Sequence, residues 1–181
     1  IKYLNQRVSN ELYSLRDNQY DSFIDLLVNL KSTSINSRQL DILCKLDFFS
    51  ELGKRQYLLD TIEVFNSIYG KKQFKKDKLP CKEEYIRQFA KSETEKMFKD
   101  VDTLGLCKFL ASTIPNEDME IKDIIKAELE FYGSTSYMND KLEEGVLIAT
   151  AIDTKYSPKI RFLNPHTGNS QVLKINKKTF K

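Results

Sequence analysis

Two amphipathic helical patterns on either side of a short, partly apolar hairpin constrain the fold of this chain most. They occupy residues 35–59, INSRQLDILCKLDFFSELGKRQYLL, with the hairpin at Asp47–Gly53. A smaller copy of the layout precedes them at Ile1–Leu15. The N–H groups of such a hairpin, and of the helix that follows it, direct partial positive charge outward. The pattern therefore indicates a helical fold with an anionic partner, and nucleic acid is the first partner to consider.

Apolar residues at helical spacing predict a series of short helices. Candidate N-caps are Ser9, Asp21 or Ser22, and Ser34–Asn36, while Gly70 is placed to end a helix as its C′ residue. The predicted helices are Asn10–Arg16, one from Asp21 or Ser22, one after Ser34–Asn36, Lys54–Tyr69, Cys81–Lys91, Ser92–Lys99, Thr103–Ala111 and Glu117–Tyr132. The charge run Lys71–Lys78 (KKQFKKDK) is predicted to be a solvated loop, with contact to a DNA backbone as the alternative.

After a polar turn at Ser134–Asn139 the apolar period changes from helical to alternating. This predicts three strands, Val146–Asp153, Lys159–Leu163 and Gln171–Ile175, joined by turns at Lys155–Pro158 and Asn164–Asn169. Three antiparallel strands form a meander and do not complete a barrel. The predicted fold class is therefore mainly α, with a helical bundle followed by a small antiparallel β meander.

Composition narrows the class of protein further. The 181 residues include 40% hydrophobic and 30% charged residues and no Trp, which suits a helical protein without a membrane partner. No apolar run approaches the ~20 residues of a membrane span, and no signal-like start is visible, so we expect a cytoplasmic protein. The pattern is already under way at Ile1 and stops just after Lys181, as in a piece of a longer protein.

The cysteines do not predict a metal site. Cys44, Cys81 and Cys107 lack the spacing of a zinc site, and the single histidine, His166, lies in a distant turn. Reduced thiols in a cytosolic protein are the expected state.

Charge is segregated along the chain. Seven of the 29 basic residues lie between Lys155 and Lys181, where there is no acidic residue. The other 22 share residues 1–154 with all 26 acidic residues. A basic β module thus follows a mildly acidic helical body. The basic residues alternate with strand-forming ones, which favours a folded module over a solvated tail.

Four segments, in order along the chain, carry a resemblance to a known family. Ile1–Asn10 (IKYLNQRVSN) resembles a hairpin of the type IKGIGEKAVE, and Ser22–Leu27 matches the segment that follows. Asn36–Leu59 is similar to a second hairpin that ends in an L-G-x-R pattern, and Glu128–Gly133 to a helix end before a β domain. Together they resemble the α subunit of bacterial replicative DNA polymerase III, in the region after its fingers.

The resemblance implies a tandem helix-hairpin-helix DNA-binding module at 1–70, a helical connector at 71–140 and a partial OB-like β module at 141–181. Two departures stand out. Tyr3 and Asn5 replace the paired glycines of the first hairpin, and Asp47 stands where the second usually has Gly. Glycine there permits positive φ and close approach to phosphate. The first hairpin is therefore expected to be structural.

The resemblance places the polymerase carboxylates, and the Mg²⁺ they hold, upstream of these residues. The fragment itself is expected to have no catalytic residues, no metal and no cofactor. Its acidic clusters at Glu117–Glu120 and Glu143–Glu144 are interpreted as solvated faces and helix N-terminal charge.

DNA, both duplex and single-stranded, is the predicted partner. Phosphate contacts are expected from Gly53, Lys54 and Arg55 in the second hairpin, with ordinary surface charge as the alternative for the two side chains. Basic and aromatic residues that alternate in the β module are typical of a single-strand groove. The candidates there are Lys155, Tyr156, Lys159, Arg161 and Lys174, with Phe162, Lys177, Lys178 and Phe180 nearby. Because a strand has two faces, Phe162 is equally a candidate core residue, and Tyr156, in a turn, is the preferred stacking residue.

A protein partner is the alternative. The family places a clamp-binding peptide, Gln-x-x-hydrophobic-Phe, between the hairpins and the OB-fold. Thr94–Phe98 lies in that interval without the Gln, which makes Met97 and Phe98 candidate sliding-clamp residues or core residues of a helix. A protein-docking connector with structural hairpins is thus the main alternative function. It would present the Met97–Phe98 region or the Phe48–Phe49 hairpin to a sliding clamp or accessory subunit. A repair or recombination factor is a weaker third.

Overall fold

The computed structural model describes residues 1–135, 145–176 and 178. Over these residues the chain has mixed α and β content, with seven α-helices and two antiparallel three-stranded sheets. The helices are α1 Gln6–Ser14, α2 Phe23–Leu30, α3 Ser37–Lys45, α4 Arg55–Ile68, α5 Glu83–Phe89, α6 Thr103–Thr113 and α7 Ile121–Phe131. The strands are β1 Gln73–Lys75, β2 Ala90–Glu93, β3 Met97–Val101, β4 Ile148–Asp153, β5 Lys159–Leu163 and β6 Ser170–Lys174.

Two compact units make up the chain, one of Ile1 with Tyr3–Glu120 and one of Lys2 with Ile121–Lys181. The domain boundaries expected near residues 70 and 140 stay predictions, and the second of them lies outside the described residues.

Side-chain caps fix the starts of the first three helices. Ser22 and Asn36 cap α2 and α3 as the sequence predicts, and Asn36 forms a reciprocal capping box with Gln39. The prediction for α1 was wrong at its start. Asn5, rather than Ser9, accepts the hydrogen bond from the Val8 N–H group at 2.9 Å, so α1 begins at Gln6.

The first unit has a core of helices α2, α3, α4 and α6 packed together. On α4 the predicted stripe is confirmed at Leu58, Ile62 and Phe65, which are all buried, and the Tyr69 ring stacks on the Phe65 ring. Burial of each such side chain contributes about 1.5–3 kcal/mol. Gly70, with φ 82°, follows α4 as predicted.

Beside these helices lies a sheet of order β1-β3-β2, which the sequence did not predict. The helix expected at Ser92–Lys99 was wrong, and the solvated loop expected at Lys71–Lys78 contains β1. Phe74 and Phe98 are paired across the ladder and are both buried. Because this contact joins residues far apart in sequence, local helix propensity could not reveal it.

The second unit contains α7 and a sheet of order β4-β5-β6, both of which the sequence predicted. Within the described residues this sheet is an open meander and not a closed barrel. A bulge separates Ala149 from Ala151 on β4, and β6 is exposed along its whole length.

Candidate nucleic-acid interface

Three of the predicted DNA-binding side chains share one face of the β4-β5-β6 sheet. Lys159 lies opposite Lys174 in the β5-β6 ladder, and Arg161 lies opposite Val172. Residues paired across an antiparallel ladder point to the same face, as do residues two apart on one strand. Lys159, Arg161 and Lys174, all exposed, therefore form a single surface, here called the basic face.

The basic face carries a net positive charge. Within the part of the chain that the structure describes, none of its three cations forms an ion pair. One carboxylate, that of Asp153, lies opposite Lys159 in the β4-β5 ladder, and its Oδ1 accepts a hydrogen bond from the Lys155 N–H group. The three cations are thus available to an external anion.

The opposite face of the same sheet is mostly apolar. Ile160 points there with its ladder partners Ile152 and Leu173, and Phe162 points there with its partners Ala149 and Gln171. Phe162 is half-buried. It therefore does not join the cations, so the aromatic contribution to a single-strand site must come from elsewhere.

Tyr156 supplies such an aromatic ring. It lies with Lys155 in the turn between β4 and β5, where its side chain is 89% exposed. A ring this exposed can stack on a base without rearrangement of the protein. Of the remaining candidates, Lys178 is exposed, whereas Lys177 and Phe180 lie outside the described residues.

The second predicted hairpin has tight backbone geometry at Gly53. Its φ is 151°, and a Cβ atom there would lie 2.4 Å from the Cδ1 atom of the Tyr57 ring. Glycine is required for both reasons. This geometry directs the chain into α4.

Part of the N-terminus of α4 is capped by the protein itself. The Lys54 N–H group donates to Asn116 Oδ1 at 2.9 Å, and the Tyr57 N–H group donates to the Glu117 carbonyl oxygen at 3.2 Å. Residues 116–118, which follow α6, are here called the acidic strap. The strap occupies N–H groups that the sequence analysis assigned to a DNA phosphate.

Arg55 is also engaged within the protein. Its guanidinium donates to Asp118 Oδ2 at 2.7 Å and forms an ion pair with Asp47 at 3.2 Å. The side chain is only 13% exposed. Two carboxylates thus neutralise Arg55 and join the hairpin to the strap, while Lys54 is exposed and, among the described residues, has no ion pair.

Two non-glycine residues of the predicted hairpins adopt the backbone conformation for which glycine is suited. Tyr3 has φ 69° and Asp47 has φ 63°. Tyr3 is held there by α3, because Gln39 Nε2 donates to its carbonyl oxygen and the Arg38 guanidinium lies 3.8 Å from its ring centroid. These contacts offset the steric cost of a left-handed non-glycine residue.

Met97 and Phe98, the clamp candidates, lie on β3 and not on a helix. Phe98 is 0% exposed, and Lys76 and Arg87 lie over its ring. A partner could reach the Phe98 ring only after this part of the sheet opened. Met97 is half-buried on the other face.

The thiols are poorly suited to nucleophilic chemistry. Cys44 and Cys107 are buried, and burial raises the pKa of both, that of Cys107 to about 12. Across the described residues no group of three or more His, Cys, Asp or Glu side chains is placed to hold a metal ion. Nor does any described helix have the length and apolarity to cross a membrane.

Asn116 was not identified from the sequence, and Asp118 was expected to be solvated or helix N-terminal charge in the helix Glu117–Tyr132. That expectation was wrong, because α7 begins at Ile121 and Asp118 binds Arg55. Nothing local indicated that residues 116–118 pack against a hairpin some 60 positions earlier. Comparison with known proteins adds no further assignment, since no protein-family model, curated protein or solved structure matches the chain.

Proposed function

We propose that this chain is a non-catalytic DNA-binding part of a bacterial replicative DNA polymerase III α subunit. In this role its β module steers single-stranded template, and its helical unit lies along the duplex behind the primer terminus. The parent protein would supply the carboxylates and the Mg²⁺ for nucleotide addition. The observation that carries the proposal is the basic face, with the exposed Tyr156 in the turn that leads into β5.

The chemistry of this surface matches single-stranded nucleic acid. Lys159, Arg161 and Lys174 provide charges for the phosphate backbone, and Tyr156 provides a stacking surface that accepts any base. The positive φ angles of Tyr3 and Asp47 support the family resemblance independently, because they occur where its hairpins use glycine. Asp118 and Asp47 neutralise Arg55, so we assign that residue a structural role and keep Lys54 as the DNA contact of the second hairpin.

Fluorescence anisotropy with labelled single-stranded, duplex and primer–template DNA, over a range of salt concentrations, tests the proposal. Each phosphate contact on a single strand contributes about 0.7 to the slope of log K against log[salt]. Replacement of Lys159, Arg161 and Lys174 by Glu should therefore reduce the slope by roughly 2. The charge-preserving variant Lys159→Arg, Arg161→Lys, Lys174→Arg is the matched control and should bind nearly as well as the parent chain.

The aromatic contribution has its own control. Tyr156→Ala should weaken single-strand binding by about 1–3 kcal/mol, whereas Tyr132→Ala should not. Tyr132 is 53% exposed and follows α7 in the same unit. If both substitutions have the same effect, or if the chain binds no DNA even at low salt, the proposal is wrong.

A protein-docking connector is the second candidate function, and two observations favour it. The acidic strap occupies the second hairpin, and Phe48 at that hairpin is 56% exposed. Phe48 borders a groove of about 1220 Å³ that is also lined by Leu4, Leu12, Leu15 and Leu52. Co-elution of the chain with a sliding clamp, lost on Phe48→Ser, would favour this role. Phe98 is unsuitable for that test because its replacement would disturb the core.

A further inference from the structure

The outer face of the β1-β3-β2 sheet joins part of the charge run Lys71–Lys78, for which DNA-backbone contact was the alternative interpretation, to Lys99 on β3. Phe74 and Phe98 point into the core from β1 and β3. Residues one position away on each strand point the opposite way. This outer surface, here called the lysine face, consists of Gln73, Lys75, Ser92, Met97 and Lys99.

Positive charge on the lysine face has no local partner. In the described part of the chain neither Lys75 nor Lys99 forms an ion pair. Glu93, the acidic residue of β2, pairs with Phe98 in the ladder and so points to the core side, where it binds Lys76 and Arg87. The other acidic residues close to these strands are Asp77 and Glu95, which lie between strands, and Asp100 on β3, where φ is 51°.

The register brings two like charges near each other on this face. Lys75 lies opposite Met97 and Lys99 lies opposite Gln73, which places the two lysines in diagonal positions about 7–8 Å apart. Like charges directly opposite each other in a ladder are destabilising, and the diagonal placement of Lys75 and Lys99 gives a weaker repulsion of the same kind. An anion bound between them would remove that repulsion.

The surroundings indicate which anion. The large exposed hydrophobic side chains of the described residues all lie outside residues 71–101. The surface therefore lacks an apolar anchor for a membrane and the central hydrophobic cluster of a protein interface. It also lacks an exposed aromatic ring for the bases of a single strand. Lysines without such neighbours suit the phosphate backbone of a duplex.

We infer that the lysine face is a second DNA-contacting surface, specific for the backbone of double-stranded DNA. Lys75 and Lys99 make the contacts, and the exposed Lys72 and Lys78 flank β1 at its two ends. The inference deepens the proposed DNA-binding function, on which it rests, and separates the two DNA forms. Duplex binds to the first unit through the lysine face, and single strands bind to the second unit through the basic face.

The experiment compares two variants of the whole chain on labelled duplex and on oligo(dT), with salt titrations by anisotropy. The first is Lys75→Gln with Lys99→Gln. The second, which removes the same charge elsewhere, is Lys31→Gln with Lys126→Gln, both exposed in the parent chain. Each duplex phosphate contact contributes about 0.9 to the salt slope, so the first variant should lower the duplex slope by roughly 1.8 and leave oligo(dT) binding unchanged. The control should keep the parent slope.

Equal duplex slopes for the two variants would overturn the inference, and so would a parent chain that binds oligo(dT) but not duplex. One outcome rejects the inference alone. If substitution of the basic face abolishes oligo(dT) binding but substitution of the lysine face does not change duplex binding, the proposed function stays intact. Absence of binding to either DNA rejects both. Tighter binding to phosphatidylserine vesicles than to duplex would assign the surface to lipid headgroups and also reject it.

Lysine acetylation followed by mass spectrometry covers the case in which the first variant does not fold. In the parent chain, duplex should protect Lys75 and Lys99 from acetylation but not Lys126. Equal protection of all three lysines from acetylation, or no protection of any of them, contradicts the inference.

Discussion

Arg55 and Lys54 are adjacent in sequence, and the structure predicts opposite consequences for their removal. Arg55→Met should destabilise the fold with little effect on DNA affinity. Lys54→Met should weaken duplex binding with little effect on stability. The contrast follows from exposure and partners, because Arg55 is 13% exposed and bound to two carboxylates while Lys54 is exposed.

The expected loss of stability on Arg55→Met is the sum of three contributions. Its hydrogen bond to Asp118 at 2.7 Å and its ion pair with Asp47 at 3.2 Å involve carboxylates that are 38% and 39% exposed. Such bonds are worth about 1.5–3 kcal/mol when buried and about 0.2–1 kcal/mol at the surface. In the opposite direction, Arg55 Nε is buried without a hydrogen-bond partner, and methionine relieves that cost. The net expected loss is about 1–2 kcal/mol, or roughly 3–6 °C in Tm.

Thermal unfolding followed by circular dichroism, together with duplex anisotropy, measures both effects in both variants. Asp118→Asn is the matched control, because it weakens the strap contact and leaves Arg55 in place. It should lower Tm by less than Arg55→Met does. An Arg55→Met protein with unchanged Tm and weakened duplex binding would refute the structural role of Arg55 and restore it as a phosphate contact.

Three other substitutions test the backbone, the ion pairs and the core. Asp47 has φ 63°, so Asp47→Val should cost at least about 1–2 kcal/mol more than Asp47→Gly in urea unfolding, and equal effects would contradict the strained geometry. Hydrogen bonds from Arg87 and Lys76 lower the pKa of Glu93 from 4.5 to about 2. Its contribution to stability should therefore be fully present above about pH 5 and lost as the pH falls toward 2, and Glu93→Gln but not Glu95→Gln should flatten that acid dependence. Phe98→Ala should lower the free energy of unfolding by about 3–5 kcal/mol because the ring is 0% exposed, whereas a loss below 1 kcal/mol would mean that β3 opens readily enough to present Phe98 to a clamp.

Local signals in the sequence predicted several elements well. The caps at Ser22 and Asn36 and the stripe Leu58, Ile62 and Phe65 depend on residues three or four positions apart, so a short window contains all that is needed. The strands β4 to β6 were recognisable for a similar reason, since alternation and turn residues are also local.

The first sheet shows where local signals fail. The segment SETEKMFK, residues 92–99, contains good helix formers, yet it supplies the end of β2 and the start of β3. Its conformation is decided by the pairing of Phe98 with Phe74, 24 positions earlier, which buries both rings in the helical core. The free energy gained by burial of two aromatic rings is larger than the helix propensity of a few exposed residues.

At the candidate site, the order of residues along the chain indicated the residue types, whereas folding selected which of them lie together. The basic residues of the β module, the aromatic Tyr156 and the glycine-like hairpin positions were all identifiable from their order along the chain. Only the strand register placed Lys174 beside Lys159 and Arg161, and only packing brought Asp118 to Arg55. Composition and short-range spacing are local properties that can be read directly from the sequence. Charge neutralisation and shared faces depend on contacts between residues that are far apart in sequence, so they appear only in the folded structure.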